Sequence, residues 1–536
     1  MTLVHPPSNL IGGFWKPLNI TNAPTGSIVR SCSPAEPDRV IWEGWEQTDD
    51  VIDAVRSARA ALSLWSRLGL EGRVRVLRRF QELAKQRESS LAQLLSDEVG
   101  KVLWDAKAEA GLLASKVEIT LDAAKEGGLA RVTPFELPLT ATRTGRCDFR
   151  PHGVLAVIGP FNFPMHLPNG HIVPALAMGN TVVFKPSDKA PACGQALVEL
   201  FDQALRDCNV QGRGAGVINL VQGGVATAKA LVAPDSDIDG VLFTGSWPVG
   251  RTIIQASVDH PGRMLALEMG GNNAAIVMGD ADLRQAVIEC VRSAFIGTGQ
   301  RCTCTRRIIV HESIASKFLS AFCKVASGLI IGSPNASHPV FMGPLISQQA
   351  RNMVLNAQRA MALAPGNARM LVPCTEHSPN GERARADGKQ VAQGWYLTPG
   401  VVQVDAFDGS DDFQVCAGAD IEVFGPLVRI SIVKDMDQAL EQANATRFGL
   451  AASLFTQDRA SIDRFMHECR AGCLNINAGT AGASSKLPFG GLGLSGNHRP
   501  AGSFSNDYCA YPVASMLETS NVATIPTGMR FEDAWL

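Results

Sequence analysis

Gly153-Val-Leu-Ala-Val-Ile158, Thr181-Val-Val-Phe184, Val217-Ile-Asn-Leu-Val221 and Gly240-Val-Leu-Phe243 are short apolar runs rich in β-branched residues. Loop signals follow them, among them Gly159-Pro-Phe-Asn-Phe-Pro164, Lys185-Pro-Ser-Asp188 and Thr244-Gly-Ser246. Helical segments lie between, one of them around Ala196–Leu205. A run that stays apolar at consecutive positions suits a parallel strand buried on both faces. Strands of this kind alternating with helices predict a doubly wound α/β unit.

A second series begins near Gly271, with strand candidates Ala274–Met278, Arg307–Val310, Leu427–Val433 and Ala451–Phe455. Between them, Pro365 to Gly400 is charged and loop-rich and reads as surface elaboration. Before the first series, the leading 50 residues read as loops and short strands, and a helical region starts at Val51. There, Val76, Leu77, Phe80, Leu83 and Ala84 share one helix face opposite Arg75, Arg78, Arg79 and Lys85. The fold expected is α/β, with two doubly wound domains and a cleft between them.

A chain of 536 residues is long enough for two or three domains. Hydrophobic residues at 46% against 19% charged exclude global disorder. With 49 Lys+Arg and 51 Asp+Glu, no basic surplus exists for nucleic acid or an anionic membrane. No uninterrupted apolar run reaches about 18 residues, so no membrane span is expected. Met1 to Pro17 lacks the pattern of a secretory signal. Thirteen scattered cysteines, an odd number, suit a reducing, cytoplasmic setting better than a disulfide framework.

Five segments could carry chemistry, and each has an ordinary reading beside the chemical one. Gly245-Ser-Trp-Pro-Val-Gly250 follows a strand and could offer backbone N–H groups to phosphate, or simply turn the chain. Lys185 and Asp188 could hold ribose hydroxyls, or flank a solvated turn. Glu268, set between Leu267 and Met269 before Gly270-Gly271, could be a buried general base or cap a turn. Cys302 follows Gly297-Thr-Gly-Gln-Arg301 and sits beside a cation, the setting of an activated thiolate. Cys304 stands two residues on, but no matching Cys/His pair supports a metal site. Asn162, between prolines and aromatics, could stabilise an oxyanion or cap the next helix.

Taken in order, Asn162, Phe184-Lys185-Pro-Ser187, Phe243-Thr-Gly245-Ser246, Leu267-Glu268-Met-Gly-Gly271, Gly299-Gln-Arg-Cys302 and Glu422-Val-Phe424-Gly-Pro resemble the aldehyde dehydrogenase superfamily. The resemblance runs from about Trp42 to about Glu518. Leu167-Pro-Asn-Gly-His171-Ile-Val-Pro-Ala, Gly299–Cys304, Pro488–Pro500 and Asp507-Tyr-Cys-Ala-Tyr-Pro are similar to the branch acting on N-succinylglutamate 5-semialdehyde in arginine catabolism. Departures are Asp188 in place of the usual Glu, Trp247-Pro248 in the glycine loop, and divergent 361–400 and C-terminal segments.

The resemblance implies oxidation of a small-molecule semialdehyde with NAD. It implies Cys302 as nucleophile, Asn162 as oxyanion donor and Glu268 as base for thioester hydrolysis. It places Lys185, Ser187 and Asp188 at the adenine ribose, and Gly245, Ser246, Trp247, Pro248, Val249 and Gly250 at the pyrophosphate. Glu422 would take the nicotinamide ribose and Phe424 flank its ring. His498 and Arg499 are candidates for the substrate carboxylates, or are tied to their own loop or a partner subunit. The implied units are 1–140 with 158–269 for NAD, 270–478 for catalysis, 141–157 with 479–516 as oligomerisation arm and closing loop, and 517–536 as tail. A homodimer or larger homo-oligomer is expected. Other readings are a dehydrogenase of another ω-semialdehyde, a CoA-acylating enzyme (which would not need Glu268) and a non-catalytic relative.

Overall fold

The computed structural model describes residues 3–21, 23, 27–210, 215–379 and 393–536. In chain order, β1 (Ser8–Ile11) and β2 (Phe14–Pro17) form one hairpin, and β3 (Ile28–Ser33) and β4 (Glu36–Trp45) another. Next come β5 (Phe135–Pro138) and β6 (Arg143–Pro151). The four apolar runs then appear as β7 (Val154–Ile158), β8 (Thr181–Lys185), β9 (Ile218–Leu220) and β10 (Gly240–Thr244), followed by β11 (Met264–Glu268). Strands β7 to β11 pair in parallel, and the β1–β2 hairpin extends their sheet in the order β11-β10-β7-β8-β9-β1-β2.

Helices cover both faces of this sheet, which is why its central strands carry no polar alternation. On one face lie α2 (Gly69–Val99), α3 (Leu103–Leu121), α4 (His166–Ala177) and α5 (Pro191–Asp207). On the other lie α1 (Asp50–Arg67), α6 (Val225–Val232) and α7 (Trp247–Ala256). The predicted stripe of α2 is the buried one: Val76, Leu77, Phe80, Leu83 and Ala84 all lie in the core. On the outer side, Arg78 pairs with Glu118 and Arg79 with Asp207.

The second sheet contains β12 (Asn273–Val277), β13 (Thr305–His311), β14 (Arg369–Val372), β15 (Gly400–Gln403), β16 (Leu427–Val433), β17 (Ala451–Phe455) and β18 (Cys473–Ile476). Its order is β14-β15-β16-β13-β12-β17-β18, parallel except for the β14–β15 edge pair. Pro365 to Gly400 is therefore not only surface elaboration. β14 lies in it, and Cys374 and Leu397 are fully buried in the core. The rest of that segment, 380–392, lies outside the described residues.

Two short strands, β19 (Pro488–Phe489) and β20 (Ala501–Gly502), pin a closing loop. The last strand, β21 (Ala510–Glu518), pairs with β6 along its whole length. The resulting three-stranded antiparallel sheet, β21-β6-β5, is the expected arm. Its boundaries need two corrections. Val154–Ile158 is core strand β7, so the arm strand ends at Pro151, not 157. At the other end β21 runs through Glu518, so residues 517 and 518 belong to the arm and not the tail.

Residues 269–272 join β11 to β12 directly. The C-terminal ends of β7, β8, β10 and β11 thus face the N-terminal ends of β12 and β13. Crevices outside the carboxyl ends of parallel strands are where such folds place ligands.

Candidate active site

Glu268 is the last residue of β11, in register with Thr244 at the end of β10. Its backbone carbonyl accepts the Gly245 N–H at 3.0 Å, which ties the end of β11 to the glycine turn next door. The side chain is buried, and Oε2 has no hydrogen-bond partner. Burial pushes its pKa well above the usual carboxylate range, against a donation from the Gly491 amide. Gly490 packs so close that a Cβ there would lie 2.8 Å from Oε1. The closing loop therefore meets the Glu268 carboxyl through the backbone of Gly490 and Gly491.

Cys302 is presented by a strained loop. Gly297, Thr298 and Gly299 all have left-handed φ, at 59°, 58° and 71°. Thr298 is held there by its hydroxyl, which donates to Gly343 O at 2.9 Å. Gln300 Oε1 accepts the Ile346 N–H at 3.0 Å. A Cβ at Gly299 would run into the Gly425 carbonyl. Asn273 Nδ2 donates to the carbonyls of both Cys302 and Cys304, at 2.7 and 2.8 Å. Non-glycine residues at positive φ persist where surrounding contacts over-determine them.

The cation expected to activate Cys302 is directed elsewhere. Arg301 pairs with Asp105 at 2.5 Å, on α3. Burial, with Glu422 and Glu268 nearby, pushes the Cys302 thiol up to about 12, and Arg306 opposes this only weakly. Cys304 is fully buried and turned to the Ile296 carbonyl, a packing role.

Asn162 comes from the loop after β7. Its Nδ2 donates to Gln300 O at 2.9 Å, so the amide is anchored across the cleft to the cysteine loop. An amide nitrogen carries two hydrogens. The second hydrogen is not used in the Gln300 contact, and Asn162 is thereby held beside the loop that carries Cys302.

The dinucleotide candidates line the same crevice. Lys185 ends β8, is 5% exposed, and donates to Pro186 O at 2.9 Å. Burial lowers its pKa to about 8, while Asp188 and Glu46 pull the other way. Ser187 bonds Asp188 and the Lys189 N–H, and Asp188 is exposed. Gly245 and Ser246 precede the ten-residue α7, and Ser246 is its N-cap. Of the residues beyond, Trp247 packs against the core, Pro248 and Val249 are exposed and Gly250 is buried against Met269. Glu422 accepts the Gly271 N–H at 3.1 Å, and burial raises its pKa. A Cβ at Gly270 would strike its carboxylate. Phe424 meets the Phe161 ring edge-on at 5.9 Å. A strand-end ammonium, a glycine turn opening a helix and a buried carboxyl suit a ribose–pyrophosphate ligand. Among the described residues no cluster of three His, Cys, Asp or Glu could hold a metal ion.

The segment carrying His498 and Arg499 runs antiparallel to β11, from Ser495 beside Met269 to Asn497 beside Leu267 and Leu265, and then returns so that Pro500 packs against Gly490 next to Glu268. The His498 and Arg499 side chains are exposed. A basic pair beside a glycine-rich loop carried no sign of which way the loop turns.

Several residues that hold the site together lacked any sequence signal. Arg307 and Arg429 are fully buried. Arg307 donates to Asn272, Gln442 and Ala443 carbonyls, and Arg429 to Ala419, Ile421 and Asn272 Oδ1. Arg306 links Gly425 O to Arg301 O. Together they fix the Glu422–Phe424 loop against the cysteine loop. Glu46 accepts from Gly224 and Thr227 beside Lys185; burial pushes it up, but those hydrogen bonds and Lys185 bring it below the usual range.

The aldehyde dehydrogenase family model matches residues 21–511. An N-succinylglutamate 5-semialdehyde dehydrogenase 2 from Caulobacter vibrioides is 40% identical over 524 residues, 96% of this chain and 97% of that one. The corresponding dehydrogenase 1 of that organism is 43% identical, covering 89% and 93%. A solved NAD-dependent aldehyde dehydrogenase from Sinorhizobium meliloti superposes with a TM-score of 0.84 at 25% identity, covering 98% and 97%. On the fold, the crevice and these likenesses, the chain belongs to the aldehyde dehydrogenase family.

Proposed function

We propose that this protein oxidises N-succinylglutamate 5-semialdehyde to N-succinylglutamate, with NAD as acceptor. The observation that carries the substrate is the pair of relatives of that name, at 40% and 43% identity over most of both chains. The cytoplasm and a homo-oligomer built through the arm belong to the same reading.

The chemistry follows from the residues. Cys302 Sγ, once deprotonated, bonds to the aldehyde carbon, and the carbonyl electron pair moves to oxygen. Asn162 Nδ2 donates to that oxyanion, a contact of a type worth about 10²–10³ in rate. A bound nicotinamide supplies the hydride acceptor, with Lys185, the Gly245 turn and Glu422 as its holding residues. What remains on Cys302 is a thioester. Glu268 then takes a proton from water, whose oxygen adds to the acyl carbon as the thiolate leaves. A raised carboxyl pKa suits that base role near neutral pH. Water, not CoA, as acyl acceptor is favoured because Glu268 is retained beside the closing loop. Asp188, exposed near Lys185, would repel a 2′-phosphate, which favours NAD over NADP.

The test is a steady-state assay of reduced-cofactor formation with both NAD and NADP against a panel of semialdehydes. The expected result is the highest kcat/KM for N-succinylglutamate 5-semialdehyde with NAD. Higher kcat/KM for glutamate or succinate semialdehyde would move the substrate within the class, and equal values for NAD and NADP would remove the role given to Asp188.

A further inference from the structure

Lys116 on α3 is a buried cation without a carboxylate partner. Its side chain is almost wholly enclosed, and Nζ donates to Gly502 O at 2.7 Å and Ser505 Oγ at 2.9 Å. Both acceptors are neutral. A buried ammonium without an anion is costly to keep. Burial accordingly pulls its pKa down to about 7, with only Cys509 opposing.

Unmet polar atoms gather on the elements around it. His166, at the start of α4, has Nδ1 sealed from solvent and unpartnered. Thr120 Oγ1, one turn beyond Lys116 on the same face of α3, is in the same condition. So is Oδ1 of Asn506, whose Nδ2 donates to Thr120 O at 3.0 Å. Buried polar groups left without partners call for an explanation, such as a ligand or ordered water.

The junction adjoins the reaction centre. His166 lies four residues after Asn162, with Phe163 edge-on to its ring at 6.1 Å. Lys101 lies over the Phe163 ring at 3.6 Å and Arg301 at 5.1 Å. Burial, and then the three cations Lys116, Lys101 and Arg301, disfavour a charge on His166. Two of them are already neutralised, Lys101 by Glu109 and Arg301 by Asp105. Lys116 is the cation left over.

We propose that the α3–α4 junction is a carboxylate subsite, with Lys116 as the counter-ion and His166 as a hydrogen-bonding partner for an acidic group on the aldehyde substrate. The inference rests on Cys302 as the aldehyde site and gives the anionic part of the substrate a place apart from the exposed His498 and Arg499. Lys116 is a binding residue in this scheme and touches no reacting atom.

The test compares wild type, Lys116→Met and Lys116→Arg in two measurements. One is the ratio of kcat/KM for a dicarboxylate semialdehyde to that for a neutral aliphatic aldehyde. The other is the rise in Tm produced by glutarate, which needs no turnover. Loss of a charge-assisted hydrogen bond should lower the ratio by about 10- to 100-fold in Lys116→Met, mostly through KM. The glutarate-induced rise in Tm should vanish in Lys116→Met and return in Lys116→Arg. An unchanged ratio with glutarate stabilisation intact in Lys116→Met would overturn the subsite. So would an equal loss on both aldehydes with the Tm lowered in Met and Arg variants alike, since that marks Lys116 as a strut for Gly502. If wild type favours neutral aldehydes yet glutarate stabilises it through Lys116, the subsite stands and the succinylglutamate assignment falls.

Discussion

Glu268 is buried and Cys302 half-buried, and the removal from water raises the pKa of both, with Glu422 near the thiol adding to the effect on Cys302. A carboxylate beside a thiol disfavours the thiolate, so removing its charge must lower the thiol pKa. Glu422→Gln should therefore speed iodoacetamide alkylation of Cys302 in the cofactor-free protein at pH 8 by several-fold. No change in the alkylation pH profile would mean burial alone sets that pKa. Glu268→Gln should leave a burst of reduced cofactor and slow the steady state by about 10²-fold or more, within the usual size of general-base effects. Rapid-mixing absorbance at 340 nm checks it, and loss of the burst would place Glu268 before hydride transfer. At this scale the candidates Cys302, Glu268 and Asn162 stood out because each sits in a short motif of unusual composition, and the Asn162–Gln300 contact brings the amide to the cysteine loop. Asn273 and the buried arginines did not, because their partners are backbone carbonyls up to 138 positions away. The Cys302–Arg301 adjacency misled for the related reason that neighbours in a loop need not point together.

The loop from Gly297 to Cys302 is an element defined by clamps at both sides. Its left-handed residues cost free energy that the Gly343, Ile346 and Gly425 contacts offset. Gly299→Ala meets two penalties, a positive φ and a backbone oxygen in the path of the new Cβ. It should cost about 1–3 kcal/mol of stability and cut kcat by at least about tenfold, because Cys302 moves with the loop. Thermal unfolding alongside kinetics checks this, and wild-type kcat with a lowered Tm would show that the loop shifts without carrying Cys302. The sheet strands were readable ahead of such loops because burial on both faces writes a continuous apolar run. β14 was not, since four residues followed by Pro373 beside charged neighbours give a run too short to stand out.

The cleft is assembled from parts far apart in the chain, with Asn162 and Glu268 from the first sheet, Cys302 and Glu422 from the second, and Gly490 from the closing loop. Order along the chain showed that two α/β units exist; the turn at 269–272, which aims one sheet's carboxyl ends at the other's amino ends, sets how they meet. The arm lies apart from both cores, and its outer positions are apolar: Phe135, Leu137, Met516 and Leu517 are 52%, 53%, 72% and 66% exposed. Apolar side chains grouped on one small sheet mark a surface for another protein, and β21 leaves one edge of the sheet unpaired among the described residues. A second copy of the chain is the partner in the functional reading above. Met516→Asp together with Leu517→Lys should then weaken assembly, because burying either charge in an apolar interface is unfavourable. β21 keeps its backbone pairing to β6 in the variant, so the fold itself should persist. Light scattering after size exclusion should show a smaller species than wild type, with the far-ultraviolet spectrum retained. A wild type that is monomeric at micromolar concentration would remove the arm's role, and an unchanged oligomer in the variant would place the interface on another surface.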